Sequence, residues 1–596
     1  MKYNTQRLGK EVAYYKKALS KKLGKGKICL IDLRVENEKA FFSLAPLSRA
    51  IDSLGADVSV FVTQKESKML KTLNKTWSLY RVLEQGTINK ETKALDDFIK
   101  SVEKKTKSKY FSKLFKEPDL YITAGPDGFI VDEKTLSFKT GWRKKRLWKE
   151  LLQTAGKILV QGYGAKKNER VSIGFELLPI AKDLKLPLDD YLDSFSIAYS
   201  FALKSAKLCK SVSLGSETSR KSQLEPLERI GDLSATIVGC EYEKKINEPW
   251  FKAFKKLSPF IEADKLKRTN ISFGVTGQGY GGKHFFGMKI GYPTPNKKAR
   301  WQSPGAMLLK PWWYDQTRID PRPAKRRLAI TSTLPLENYV RTCNINFFTL
   351  RKRDEKIRAE LKKCVKIFAV GRKLPMGQTN LELDTMHLYS GKSPILCSDI
   401  EVNPMVPHEA KKCFKMKEAG RYGNFPGGEV FFTPHKMDGT FVGDVVISID
   451  KSYVIPNNDP MVVSIKNGHY KLLKASKLIG DAFRKRKKDC KKTIDLFEKN
   501  KSMPANAIKG LRANFDRVGE FAVNTNPKAR LSRYLIETEK LAGMMHIALG
   551  SGYEPGRETT YHCDIVINVP RQKIDLWGID AKGKEHWIIR KGKFVV

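Results

Sequence analysis

No Cys-x-x-Cys pair occurs anywhere in the chain, and its nine cysteines are an odd number. That pattern excludes a zinc ribbon and a closed disulfide framework, and it fits a reducing compartment. There is no run of about eighteen apolar residues, the length needed to cross a bilayer as a helix. The leading stretch MKYNTQRLGKEVAYYKKALSKK lacks the apolar core of a signal peptide. The expectation is a cytoplasmic protein with no membrane partner. No fixed-period repeat is present, which argues against a solenoid or an array. Acidic residues are in short supply too: 64 against 111 basic ones in 596 residues, a net charge of +47.

Such a balance admits two readings. A strongly positive surface attracts polyanions, so nonspecific nucleic-acid binding through that surface is one. Lysine filling solvated positions throughout is the other, and the distribution favours it. Clusters recur at Lys16–Lys27, Lys104–Lys116, Arg143–Lys149, Lys252–Arg268, Arg351–Lys366 and Arg484–Lys492. They are spread along the chain and rarely interleaved with the aromatics that a base-stacking surface requires.

The length argues for several domains. In the first part, KICLIDL (Lys27–Leu33), DVSVFVT (Asp57–Thr63), DLYITA (Asp119–Ala124), KILVQ (Lys157–Gln161) and Ala235–Gly239 read as strands. Helical spacing lies between them, at Leu44–Leu54, Leu147–Gly156 and Leu178–Leu208. This alternation predicts an α/β N-terminal region with a largely parallel sheet, over residues 1–265. Residues 266–390 read as a connecting or inserted region. Within it, GQGYGGKH (Gly277–His284) has Walker-like spacing, but His284 replaces the Ser or Thr and a strand follows where a helix should begin. We read it as a glycine-rich hairpin or flexible loop. Residues 391–596 turn to strands and turns, an α+β C-terminal domain.

Histidine is scarce, eight in the chain, yet His546 and His562 fall close together, with Tyr553 and Asp564. His562 and Asp564 are separated by one residue at the head of a β-branched run, so a strand presents both on one face. An imidazole beside a carboxylate suits a divalent ion of the zinc, cobalt or manganese type. Upstream, Glu429 and Glu520 each follow a glycine and open a strand. Five potential ligands result: Glu429, Glu520, His546, His562 and Asp564, enough for two ions sharing a carboxylate. Tyr553 adds a hydroxyl able to donate to a developing oxyanion. Taken singly, each has a plainer explanation: a surface carboxylate at a strand start, a core histidine in a helix-like apolar run (His546), or a His–Asp hydrogen bond. Cys563 should face away from its neighbours, and His435, near Glu429, reads as structural.

The motifs NFPGGEVFFTP, VGEFAVN, MMHIALGSGY and HCDIVI, with DLWGID and WIIRKGKFVV at the end, make the C-terminal third similar to a known family. It resembles the thermophilic metalloaminopeptidases of the aminopeptidase T and aminopeptidase S type. The resemblance covers roughly residues 415–596, and six family positions have counterparts here: Glu429, Glu520, His546, Tyr553, His562 and Asp564. It implies a metallopeptidase domain with two divalent metal ions (zinc, cobalt, manganese or magnesium) and hydrolysis of N-terminal amino acids from peptide substrates. It also implies a homodimer. Glu429, Glu520 and Tyr553 would be its catalytic groups. The reading from a different class is a basic nucleic-acid- or ribosome-associated protein whose peptidase-like domain is inactive or secondary.

Overall fold

Four apolar segments that are far apart in the first part of the chain lie side by side in one sheet. In the computed structural model the described residues are 5–62, 81–84, 93–104, 120–132, 139–175, 188–216, 271–276 and 327–596, with short breaks inside several of these. They divide into two units, Met1–Glu150 and Leu151–Val596. In the first unit, Arg81–Glu84, Asp57–Val62, Ile28–Asp32 and Leu120–Gly125 pair in parallel, and Gly128–Asp132 closes the edge as an antiparallel hairpin. Alternate residues Cys29, Ile31, Val58 and Val60 face one side. There they meet Leu44, Leu47 and Ile51 of the helix Glu38–Ser53 and Leu19 of the helix Thr5–Leu19.

Among the described residues the second unit holds three sheets. One is wholly parallel, in the order Arg421–Asn424, Arg327–Ser332, Ile271–Thr276, Arg170–Phe175, Ser211–Ser216. It takes strands from both sides of residue 265. An eight-stranded antiparallel sheet includes Cys364–Val370, Asn380–Asp384, Lys436–Gly443, Met461–Lys466 and Asp575–Asp580. A seven-stranded antiparallel sheet runs in the order Leu396–Cys397, Glu429–Phe432, Val518–Asn524, Met545–Gly550, His562–Ile567, Val446–Ser448, Ser452–Val454. The two antiparallel sheets share one core: Ile367, Leu383, Phe441 and Val463 from the first pack into a cluster with Phe432, Phe521, Ile547 and Ile565 from the second. Each such side chain, fully buried, contributes about 1.5–3 kcal/mol. The helix Phe347–Lys363 adds Ile357 and Leu361 to that core. The Asn346 side chain caps its start by accepting from the amides of Phe348 and Thr349.

Two local readings are corrected. The run KILVQ is not a strand: the helix Lys139–Lys157 continues into a π-helical turn, Ile158–Gly162. Leu151, Leu152, Ala155, Ile158 and Leu159 are all buried, so the run prolongs a helical stripe. The run holding His546 is the strand Met545–Gly550, not a helix. Every residue in it is buried, and a strand covered on both faces loses the alternation that would reveal it. The readings at Ala235–Gly239 and Gly277–His284 lie outside the described residues. Among the described residues no helix is long and apolar enough to cross a membrane.

Candidate metal centre

The seven-stranded sheet gives one face to the core described above and the other to a cluster of polar side chains. On Val518–Asn524, Phe521 and Val523 join the core while Glu520, Ala522 and Asn524 share the opposite face. A bulge between Val518 and Glu520 sets this phase. The residue at the bulge is Gly519, where a Cβ would stand 2.1 Å from the Ser551 carbonyl oxygen, so the backbones approach closely and only glycine fits. Gly428 has the same function before Glu429: its φ is +113° and a Cβ would meet Asn526 at 2.6 Å.

Strand register then assembles the residues. Glu429 lies opposite Asn524, Glu520 opposite Ala548, and Ala548 opposite Asp564. Ala522 lies opposite His546. The two alanines are small, which leaves the long acidic and imidazole side chains room to converge above them. Cys563 points into the core, away from His562 and Asp564.

Five of the six positions named from the sequence converge. His546 Nε2 lies 3.1 Å from Glu520 Oε1 and 3.5 Å from Glu429 Oε2. His562 Nε2 lies 3.3 Å from Glu520 Oε2 and 3.0 Å from Asp564 Oδ1. Glu520 thus spends one oxygen on each histidine. The sixth, Tyr553, sets its ring edge-on to His562 at 5.4 Å and edge-on to Phe431 at 5.0 Å. Its amide donates to Thr433 Oγ1 at 2.9 Å. Both imidazoles are oriented through the far nitrogen. His546 Nδ1 donates to Asn524 Oδ1 at 2.8 Å, and His562 Nδ1 donates to the Ser551 carbonyl at 2.7 Å. This leaves each Nε2 turned toward the carboxylates, the arrangement in which ligating histidines are held.

Burial and charge pull against each other here. Burial alone would lower both histidines, but Glu520 and Glu429 bring His546 up to about 9. Asp564 and Glu520 raise His562 well above its ordinary value. Burial would raise Glu520, and its hydrogen bonds from His546 and His562 hold it below the usual carboxylate range instead. Glu429 is pushed up to about 7 by burial, against the pull of Lys540 and His546. The carboxyl of Asp564 is lowered by His562, which outweighs burial.

The donor set fits divalent ions on three counts. Bond lengths of about 2.0–2.2 Å to nitrogen and oxygen place ligand atoms around one ion about 3.0–3.5 Å apart, and the four separations above run from 3.0 to 3.5 Å. The groups Glu429–Glu520–His546 and Glu520–His562–Asp564 each bring three ligand atoms together, with Glu520 common to both. Glu429 Oε2 is buried without a hydrogen-bond partner, which is costly unless a cation meets it.

Sequence reasoning missed three residues. Asn524 shares the strand face of Glu520 four residues on, so period-two counting was able to find it. Glu539 and Lys540 are buried loop residues: Lys540 Nζ lies 2.5 Å from Glu429 Oε1 and 3.1 Å from Glu539 Oε1. No periodicity marks a loop, so nothing in their spacing announced them.

No protein-family model matches the chain, and no curated protein does. Solved structures give only distant likenesses. The amide bond synthetase McbA from Marinactinospora thermotolerans is 11% identical over 64% of this chain and 66% of its own, with a TM-score of 0.13. McyG A-PCP complexed with phenylalanyl-adenylate is 8% identical over 80% and 71%, with a TM-score of 0.14. The luciferase-like enzyme from the nonluminescent Zophobas morio mealworm is 10% identical over 79% and 80%, with a TM-score of 0.13. Scores this low establish no shared fold.

Proposed function

We propose that the chain is a metal-dependent aminopeptidase that hydrolyses N-terminal amino acids from peptides using two divalent ions. The observation that carries this reading is Glu520, one buried carboxylate whose two oxygens reach two separate histidine–carboxylate groups. When bound, the ions would supply a water of lowered pKa and polarise the scissile carbonyl. Glu429, Glu520 and His546 would hold one, and Glu520, His562 and Asp564 the other.

The chain's own groups account for the rest. Asn524 and the Ser551 carbonyl fix the two imidazole orientations. Lys540 offsets part of the charge of Glu429 and Glu539. The free amine of a peptide N-terminus would bind one ion or a nearby carboxylate, which would account for exopeptidase selectivity. One of the two glutamates, Glu429 or Glu520, would serve as general base instead of, or as well as, a ligand. Tyr553, beside His562, would donate its hydroxyl to the oxyanion of the tetrahedral intermediate.

The test is hydrolysis of a panel of aminoacyl substrates and their N-acetylated counterparts by chelated and metal-reloaded protein. We expect activity to vanish on chelation, to return with zinc, cobalt, manganese or magnesium, and to be absent on the acetylated series. Full activity in the chelated sample overturns the proposal.

A further inference from the structure

Thr433 links the candidate centre to a second cluster of histidine and carboxylate. Its hydroxyl accepts from the Tyr553 amide, and its carbonyl accepts from His387 Nε2 at 3.2 Å. The His387 ring stacks on His435, with centroids 3.9 Å apart and planes 7° from parallel. His435 Nε2 in turn donates to Glu554 Oε2 at 2.6 Å. Ligand atoms of these three residues all lie within 4.8 Å of one another.

We propose that His387, His435 and Glu554 form a further metal site, for a zinc-type divalent ion, distinct from the Glu520 centre. Two imidazoles and one carboxylate are a zinc ligand set that leaves a fourth position for water. An independent feature points the same way: the Glu554 side chain is 7% exposed, and its Oε1 is buried with no hydrogen-bond partner. A buried carboxylate oxygen in that condition calls for a cation. The His387–Thr433 bond consumes the Nε2 hydrogen, so Nδ1 is the nitrogen left with a lone pair. Burial, and then the neighbouring His435, lower His387 to about 4, which keeps the ring neutral as ligation needs. The His435 side chain is 39% exposed and can swing out of the stack to close on an ion, and solvent reaches the site from that side.

Two guanidiniums limit the affinity. Arg517 Nη2 donates to the His435 carbonyl at 2.9 Å, and Arg557 Nη2 to the Pro434 carbonyl at 3.1 Å. Their charge makes this the last site to fill as zinc is raised. Because Glu554 follows Tyr553 directly, an ion here would also clamp the Tyr553 loop from the far side.

The test is equilibrium dialysis of the full chain against buffered Zn²⁺ at pH 7.5, with bound metal counted by mass spectrometry. The inference does not depend on the peptidase proposal, because the readout is a difference of one ion. His387→Gln and Glu554→Gln should each bind one zinc fewer than wild type. Glu520→Gln/His562→Gln, which disables the other centre, should keep one zinc that a further Glu554→Gln removes. Equal zinc content in wild type and folded Glu554→Gln at every free-zinc level overturns the site. So does a Glu520→Gln/His562→Gln chain that binds none.

Discussion

Two clusters in this chain are built from the same residue types, yet His546 and His387 shift in opposite directions. Around Glu520, carboxylates outnumber imidazoles, and His546 rises to about 9. In the other cluster one carboxylate serves two stacked rings, and His387 falls to about 4. Burial pushes both rings the same way, toward the neutral form. What differs is the number of acidic oxygens within reach. A histidine buried with carboxylates in excess is a cation in the metal-free chain; one buried against another histidine is neutral. The first cluster must give up protons to take a metal, whereas His387 already has its proton off.

The largest expected effect is at Glu520, which belongs to both groups of the first cluster. Glu520→Gln should abolish peptide hydrolysis and lower bound metal, whereas a variant retaining full activity would show the two groups to be unrelated to catalysis. Tyr553→Phe should cost about 10²–10³-fold in kcat with KM little changed; a change confined to KM would remove the tyrosine from the transition state. Asn524→Ala frees the His546 ring and should weaken metal affinity by about 10–100-fold, read from the free-metal dependence of activity.

The smallest effect is the most direct test of the contrast itself, in chelated protein. His546 has a folded-state pKa near 9 against an ordinary 6.5. Its stabilisation is therefore complete below about 6.5 and lost as pH rises through 9. His387, near 4, has the opposite sign: its contribution is complete above about 6.5 and lost as pH falls through 4. Melting temperatures from pH 4 to 10 should show His546→Gln flattening the alkaline limb and His387→Gln the acid limb. The same limb flattened by both would dissolve the distinction.

The first cluster was legible because its ligands sit on strands. His562 and Asp564 two residues apart, and glycine ahead of each glutamate, are patterns that a pleated backbone and a close approach impose. Glu429, Glu520 and His546 are joined to them by register alone, which no local pattern expresses. The second cluster draws on a short helix (His387), a turn (His435) and a loop (Glu554), where side-chain direction has no period. His435 read as structural for that reason. In the fold, the strands at Ile28–Asp32, Asp57–Val62 and Leu120–Gly125 stood out by their apolar runs. KILVQ misled because a helix stripe and a short strand look alike over five residues. So did the run around His546, where burial on both faces erased the alternation.

The bulge at Gly519 acts as a phase shifter. Val518 turns into the core, Gly519 takes up one extra step of the ladder, and from there Glu520 and Asn524 line the cluster while Phe521 and Val523 go inward. A side chain at 519, pressed against the Ser551 carbonyl, would flatten the bulge so that residue 519 counts as an ordinary step of the ladder, and unbroken alternation from Val518 would exchange the two sets. Glu520 would then be carried into the oily interior and Phe521 out among the carboxylates. A single added methyl here would turn the site inside out while leaving every proposed ligand in the chain, a lesion that inspection of those ligands alone would never reveal.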